Sequence, residues 1–280
     1  MPVTSEPKAG DAVGRWRLED QLGEGGMGRV FKAVDAAGNH AAVKIVKAEL
    51  ARDNIFRRRF EREAKVAERV NHPHVVPVIE TGEVDGIPYL AQVFVAGGSL
   101  EERIKREGKL PLDETVRICT AIASGLDAMH SEGLIHRDVK PANILLDDEG
   151  TPFICDFGLA KDRDASVLTK AGQALGSMDY MAPEQIRGED VSAQSDVYAL
   201  GCVMFECLAG HAPFADRQGM RILWAHLQED PPDPLAERND VPADVGWALR
   251  QALEKEPEQR PPTATAYASM VRIAAGKQTT

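Results

Sequence analysis

The feature that most constrains this chain is a change of hydrophobic period at Ala96-Gly97-Gly98. Ahead of it, apolar residues come in alternation and short runs; behind it, they recur at helical spacing. Trp16 and Leu18 alternate with charged neighbours, Arg29 to Val34 follows, and His40 to Val46 is a short apolar run. The turn signal Asp35-Ala-Ala-Gly38-Asn39 separates the last two. One helix interrupts these strands: Asp53 is a fair N-cap, Phe56, Phe60, Glu63, Ala67 and Val70 share a helical stripe, and Asn71-His-Pro73 ends it.

Past the glycines, Ser99-x-x-Glu102 spells a capping box. Leu112, Val116, Cys119, Ala123, Leu126 and His130 keep one helical face, and Val197 to Leu208 is apolar nearly all round, as suits a buried central helix. Two more helices are expected around Asp244–Glu256 and Thr263–Ala275. The expected order is a floppy tail over 1–14, a small strand-rich lobe over about 15–95, a hinge near 93–97, a larger helical lobe over 98–275 and a short tail over 276–280. A length of 280 residues is enough for two packed lobes or one large domain.

The net charge of −11, from 33 basic and 44 acidic residues, argues against nucleic acid or an anionic membrane as the main partner. It leaves room for a local basic pocket. Cys119, Cys155, Cys202 and Cys207 show no metal-ligand spacing, which fits a reduced cytosol. No run of roughly eighteen apolar residues appears, and the first residues lack the apolar region of a secretory signal. A cytoplasmic location is therefore expected, with membrane tethering left open if the native chain continues past Thr280.

Chemistry concentrates in a few segments. In Gly23-Glu-Gly25-Gly26-Met-Gly28-Arg-Val30 the glycines let main-chain N–H groups approach phosphates closely, because no Cβ intervenes. By itself this spelling suits a Gly-rich hairpin as well. It also matches a Rossmann turn, with Glu49 near the distance of a ribose-binding acid, but such a turn must open a helix and these glycines join two strands. Lys44 lies inside the apolar strand Ala41-Ala-Val-Lys44-Ile-Val and must reach water or an anion. Glu63, on the core stripe of the helix, suits a buried ion pair that holds Lys44 against phosphate oxygens; the alternative is a glutamate at the edge of that stripe.

The strongest signal is His136-Arg137-Asp138-Val139-Lys140-Pro141-Ala142-Asn143. One short loop there offers a carboxylate for an incoming hydroxyl, a cation for a transferring phosphoryl group and an amide oxygen for Mg²⁺. Asp156-Phe157-Gly158 follows with a second metal carboxylate and a flexible glycine. Either cluster alone could be a polar turn; their order with the glycines and Lys44 argues otherwise.

Together with Met181-Ala182-Pro183-Glu184, Ser195-Asp196-Val-Tyr-Ala-Leu-Gly201 and Arg260, these segments resemble the eukaryotic-type protein kinases, most closely the Ser/Thr protein kinases of bacteria. The resemblance spans about Arg15 to Ala275. It implies an α+β, bilobal fold, with a small antiparallel sheet lobe carrying one key helix and a larger, mainly helical lobe. It implies transfer of the γ-phosphoryl of ATP, with Mg²⁺ or Mn²⁺, to Ser/Thr hydroxyls of protein substrates. Lys44 would contact the α- and β-phosphates, braced by Glu63; Asp138 would take the acceptor proton beside Lys140; Asn143 and Asp156 would hold the metal. Leu22, Val30, Ala42, Leu145 and Cys155 would sandwich adenine, with the backbone of Val93 and Val95 at its edge. Glu184 would pair with Arg260, and Asp196 would brace the catalytic loop. That last role agrees with the sequence itself, since a carboxylate heading an apolar helix needs a partner.

Lys140 resembles Ser/Thr rather than tyrosine kinases. Arg137 before Asp138 suggests control by a loop phosphate, which brings roughly −2 charge; Thr169 is the best acceptor, then Ser166, while Ser177 belongs with the substrate-facing wall. Ala171 stands where many bacterial relatives have a second loop threonine, Gln92 where a hydrophobic gatekeeper is usual, Val93 in place of a common hinge glutamate, and Tyr198 in place of a frequent tryptophan. Similar bacterial kinases dimerise through the small lobe, so a homodimer is a partner the resemblance allows. A catalytically dead scaffold would lack Lys44, Asp138 or Asp156, and all three are present. Small-molecule phosphotransferases share the Asp–Asn loop but generally lack the glycine signature and the Ala-Pro-Glu segment.

Overall fold

The structure, a computed structural model, describes residues 7–157, 175–236 and 238–276. Two compact units divide the described residues: one runs as far as His72 and resumes over Val76–Val95, and the other takes Pro73–Val75 and the described residues from Ala96 onward.

The first unit is an antiparallel sheet of β1 (Ala12–Val13), β2 (Trp16–Glu24), β3 (Gly28–Val34), β4 (His40–Val46), β5 (Val78–Val84) and β6 (Ile87–Val93), in the order β1-β2-β3-β4-β6-β5. Its tight connections follow from side-chain chemistry. Asp35 Oδ1 accepts the N–H groups of Ala37 and Asn39, both at 2.9 Å, and so folds the β3–β4 turn. Asp85-Gly86, with φ of 52° and 80°, makes the left-handed two-residue hairpin that matches strand twist between β5 and β6. Along β4, Ala41, Val43 and Ile45 are buried while Ala42 and Lys44 face the other way, half-exposed. Val30 of β3 stands directly opposite Lys44 and shares that face.

Helix α2 (Asn54–Ala67) starts where Asp53 Oδ1 accepts the N–H groups of Ile55 (2.8 Å) and Phe56 (3.3 Å). Its stripe buries Phe60, Glu63, Ala64 and Ala67. It stops at Ala67, ahead of the Asn71-His-Pro73 signal, and Val70 stays buried beyond its end. A one-turn helix, α1 (Ala48–Ala51), precedes it and carries no periodic pattern long enough to read in advance.

The second unit is mainly helical: α3 (Leu100–Glu107), α4 (Leu112–Ser131), α5 (Pro183–Arg187), α6 (Ala193–Ala209), α7 (Met220–Gln228), α8 (Ala243–Ala252) and α9 (Ala264–Ala274), with a two-stranded ladder of β7 (Ile144–Leu146) and β8 (Pro152–Ile154). The capping box at α3 is formed in both directions, Glu102 N to Ser99 Oγ at 3.2 Å and Ser99 N to Glu102 Oε2 at 2.8 Å. Helix α6 is buried without a break from Ser195 to Phe205, with α4, α8 and α9 packed around it. Each large apolar side chain buried there contributes about 1.5–3 kcal/mol.

Tyr198 has a partner in this core. Its hydroxyl shares a 2.8 Å hydrogen bond with Nδ1 of His226, and the Arg260 guanidinium lies over its ring, 4.9 Å from the centroid. Burial drives the pKa of His226 down to about 3, so its imidazole is neutral. The segment Pro73–Val75 belongs to this unit because it pairs with the ladder: the His74 carbonyl accepts Ile154 N at 2.9 Å and Val75 bridges Ile154. No helix among the described residues is long and apolar enough to cross a membrane.

Candidate active site

The segment 136–143 is held from beneath by one carboxylate. Asp196, 1% exposed at the first turn of α6, accepts the main-chain N–H of His136 on Oδ2 and that of Arg137 on Oδ1, both at 2.8 Å. His130 Nε2 reaches the same Oδ2 at 2.7 Å. Arg137 takes a left-handed φ of 63°, a sparsely populated conformation for a side-chain-bearing residue. Gln185 of α5 supports the turn, donating from Nε2 to the Arg137 carbonyl at 3.1 Å. The buried His136 ring spans two loops: Nδ1 accepts Asp138 N at 3.2 Å and Nε2 donates to the Cys155 carbonyl at 2.9 Å. Burial pushes its pKa down, consistent with the neutral tautomer those bonds require.

Asp138 is thus presented by a main chain with little freedom. Its Oδ2 lies 3.1 Å from Lys140 Nζ and accepts Asn143 Nδ2, also at 3.1 Å. The same Nδ2 donates to the Asp138 carbonyl at 2.8 Å. An ionised carboxylate can only accept hydrogen bonds, as a base toward a hydroxyl must.

With Nδ2 committed to Asp138, the amide oxygen is the end of Asn143 that can accept a cation. Cys155 N bonds the Asn143 carbonyl at 3.0 Å, extending the β7–β8 pairing by one residue, and Asp156, next in sequence to Cys155, has a φ of 58° that is also left-handed. Among the described residues no group of three or more His, Cys, Asp or Glu side chains is arranged to hold a metal ion. One carboxylate and one amide oxygen instead fit Mg²⁺, which keeps several waters and binds through few protein oxygens plus substrate phosphates.

In the first unit, Gly25 N bonds the Gly28 carbonyl at 2.9 Å, closing the glycine turn between β2 and β3. A Cβ on Gly23 or Gly25 would meet nothing within 4 Å, so main chain is bare on that edge. Lys44 stands between Val30 of β3 and Leu90 of β6. Glu63 is buried at 7% exposure, on the core stripe of α2, with Arg62 Nη2 at 3.8 Å. Gln92 is buried and donates from Nε2 to the Val76 carbonyl at 3.5 Å, which supplies a polar partner for the amide at that position. Leu22 and Val93 are exposed; Ala42 and Val95 are half-buried. In the second unit, Leu145 and Cys155 are half-buried, and Cys155 Sγ reaches the Asn143 carbonyl at 3.4 Å.

Thr169, Ser166, Ala171 and Gly158, and the side chain of Ser177, lie outside the described residues. Sequence reasoning missed His130, Asp127 and Gln185 as supports. His130 was legible as a helix-face residue, but the signal that would have singled it out, a histidine one turn after an aspartate, is weak on its own.

A family model described as Protein kinase domain matches residues 16–270. Among curated proteins, serine/threonine-protein kinase PknH of Mycobacterium bovis is 39% identical over 261 residues, covering 93% of this chain and 44% of the relative. Serine/threonine-protein kinase PknB of Mycobacterium leprae is 36% identical over 282 residues, covering 98% and 45%. The chain spans less than half the length of these curated relatives. Among solved structures, the Mycobacterium tuberculosis PknI kinase domain superposes with a TM-score of 0.78 at 32% identity, covering 97% of this chain and 100% of that chain.

Proposed function

This chain belongs to the protein kinase domain family, and from that premise we propose that it is a serine/threonine protein kinase moving the γ-phosphoryl of ATP onto protein hydroxyls. The observation that carries this reading is Asp138, held between Lys140 and Asn143 on a loop fastened to Asp196. A side chain so held can orient an acceptor hydroxyl and take its proton as the phosphoryl group leaves ATP.

In this reading Lys140 neutralises charge at the γ-phosphate, and Lys44, braced by Glu63, positions the α- and β-phosphates. The main chain of Gly23, Gly25, Gly26 and Gly28 lies over the phosphates, bare at Gly23 and Gly25. Leu22, Val30, Ala42, Leu145 and Cys155 pack on adenine. Val93 already gives its N–H to the Pro77 carbonyl at 3.0 Å, so any bond from Val93 to the adenine edge comes through its carbonyl. Asn143 and Asp156 hold the Mg²⁺, which supplies charge neutralisation on the phosphate oxygens. Autophosphorylation at Thr169 or Ser166 would regulate the enzyme. The free cysteines support a reducing compartment such as the cytoplasm.

The test is incubation of the purified chain with labelled ATP, a casein-like protein and small alcohols. Label on protein serine or threonine supports the reading. Label confined to the alcohols, or no transfer at all, would overturn it.

A further inference from the structure

Helix α9 begins with its N–H groups turned toward another helix. Thr263 Oγ1 caps Ala266 N at 3.0 Å, but the N–H groups of Ala264 and Thr265 go to the two carboxylate oxygens of Asp127 on α4, both at 3.0 Å. The hydroxyl of Thr265 donates to Asp127 as well. The first turn of α9 is therefore satisfied by an anion from outside, where both the orphan donors and the helix dipole favour one. One turn further along α4, His130 Nδ1 stands 3.7 Å from Asp127 Oδ1, while its Nε2 lies 2.7 Å from Asp196 Oδ2.

Asp196 is the carboxylate that fastens the His136 and Arg137 amides. The path from α9 to the loop bearing Asp138 runs through main-chain N–H, Asp127, His130, Asp196 and main-chain N–H, hydrogen-bonded at every step except the 3.7 Å ion-pair approach of Asp127 to His130. We infer that Asp127 and His130 are positioning residues for phosphoryl transfer, coupling the first turn of α9 to the loop that presents Asp138. This inference rests on the assignment of Asp138 as base.

The physical reason is the buried charge on Asp196. A carboxylate closed off from solvent needs compensation, and two amide dipoles are a weaker counterweight than a cation. His130 supplies the cation only if it stays protonated at neutral pH, and its neighbours see to that. Burial opposes the charge, but the Asp127 carboxylate at ion-pair distance and the bond to Asp196 outweigh it and raise the His130 pKa to about 9. Asp127 is likewise held at about 2 against its burial, by His130 and Thr265. The charged groups acting on His130 are Asp127 from its own helix α4 and Asp196 from α6. From α9, the Thr265 hydroxyl bonds Asp127.

Asp127→Asn keeps a side-chain acceptor for α9 and removes the charge that sustains the imidazolium. Its kcat per folded molecule should fall about tenfold, with the KM for ATP nearly unchanged, because the loss is in placing Asp138 rather than in binding nucleotide. The alkaline limb of kcat against pH should move down by about one unit or more, toward the ordinary histidine range. Asp127→Glu should restore part of both. NMR titration of the His130 ring in the parent protein should give a midpoint near 9. A folded Asp127→Asn protein with the parent's kcat and alkaline limb would overturn the proposal, as would a parent His130 midpoint near 6.5. If that variant does not fold, the parent midpoint decides alone. A parent that phosphorylates no protein sinks the kinase reading instead, and the His130 midpoint still reports on the coupling.

Discussion

Glu184 and Arg260 form a two-point ion pair sealed from solvent, Nη1 to Oε1 at 2.7 Å and Nη2 to Oε2 at 2.8 Å, with the side chains 2% and 0% exposed. The guanidinium spends its remaining donors on the carbonyls of Glu254, Gln194 and Lys255, and Ser195 Oγ donates to the glutamate. All five Arg260 N–H groups are placed, so one interaction ties α5 and α6 to the turn before α9.

Arg260→Lys should therefore be severe. A lysine offers one point charge where a planar fork is needed, and Glu184 is left buried with a partial partner. The expected loss is about 3–5 kcal/mol in urea unfolding. A change within the scatter of surface substitutions, under about 0.5 kcal/mol, would contradict this account.

Four of the groups with shifted pKa values illustrate the pH dependence of stability, and the buried His136, also depressed, adds to the acid side. His130 has a raised pKa, so its contribution is full below about 6.5 and is lost as pH rises through about 9. His226 is depressed to about 3 by burial, so its contribution is full above about 6.5 and drains as pH falls. Asp127, held at about 2, and Glu184, held low by Arg260 against its burial, add losses below their ordinary values of 3.8 and 4.5. Thermal melts across pH should show a maximum near neutrality with the steeper fall on the acid side. A melting temperature that climbs steadily past pH 9 would rule out this balance.

Gly28 tests the glycine turn separately. A Cβ there would lie 2.1 Å from the Ile45 carbonyl oxygen, and that oxygen belongs to the neighbouring strand rather than to a flexible side chain. Gly28→Ala should destabilise the protein by about 1–3 kcal/mol, as overpacking against rigid atoms does. An unchanged melting temperature would show that β3 and β4 can part without penalty.

Much of this architecture was legible because the chain states it locally. The periods of α4 and α6, the Asp53 cap and the Ser99–Glu102 box each specify their own element. The Asp85-Gly86 hairpin between β5 and β6 was not read from the sequence, although its two residues are a local turn signal. What stayed hidden was of a different kind. Asp127 and His130 act through partners far along the chain, Thr265 and Asp196, and no local pattern marks such a pairing. The placement of Pro73–Val75 with the β7–β8 ladder is hidden for the same reason. The polar partner of Tyr198 required knowing that α7 brings His226 beside it.

Thr169→Ala should lower activity, since Arg137 precedes the base and a loop phosphate of roughly −2 charge would pair with it. Mass spectrometry of the active protein should find phosphate between Leu159 and Met181. Absence of any phosphate there, with full activity, would remove the basis for this expectation.

The most direct test of the central claim is single-turnover phosphoryl transfer by Asp138→Asn. The amide preserves the shape of the side chain and keeps an oxygen for Asn143, so the variant should fold and bind ATP. It cannot take a proton, and transfer to a protein hydroxyl should fall by a factor on the order of 10² or more. Transfer at the parent's rate by the folded variant would contradict the account.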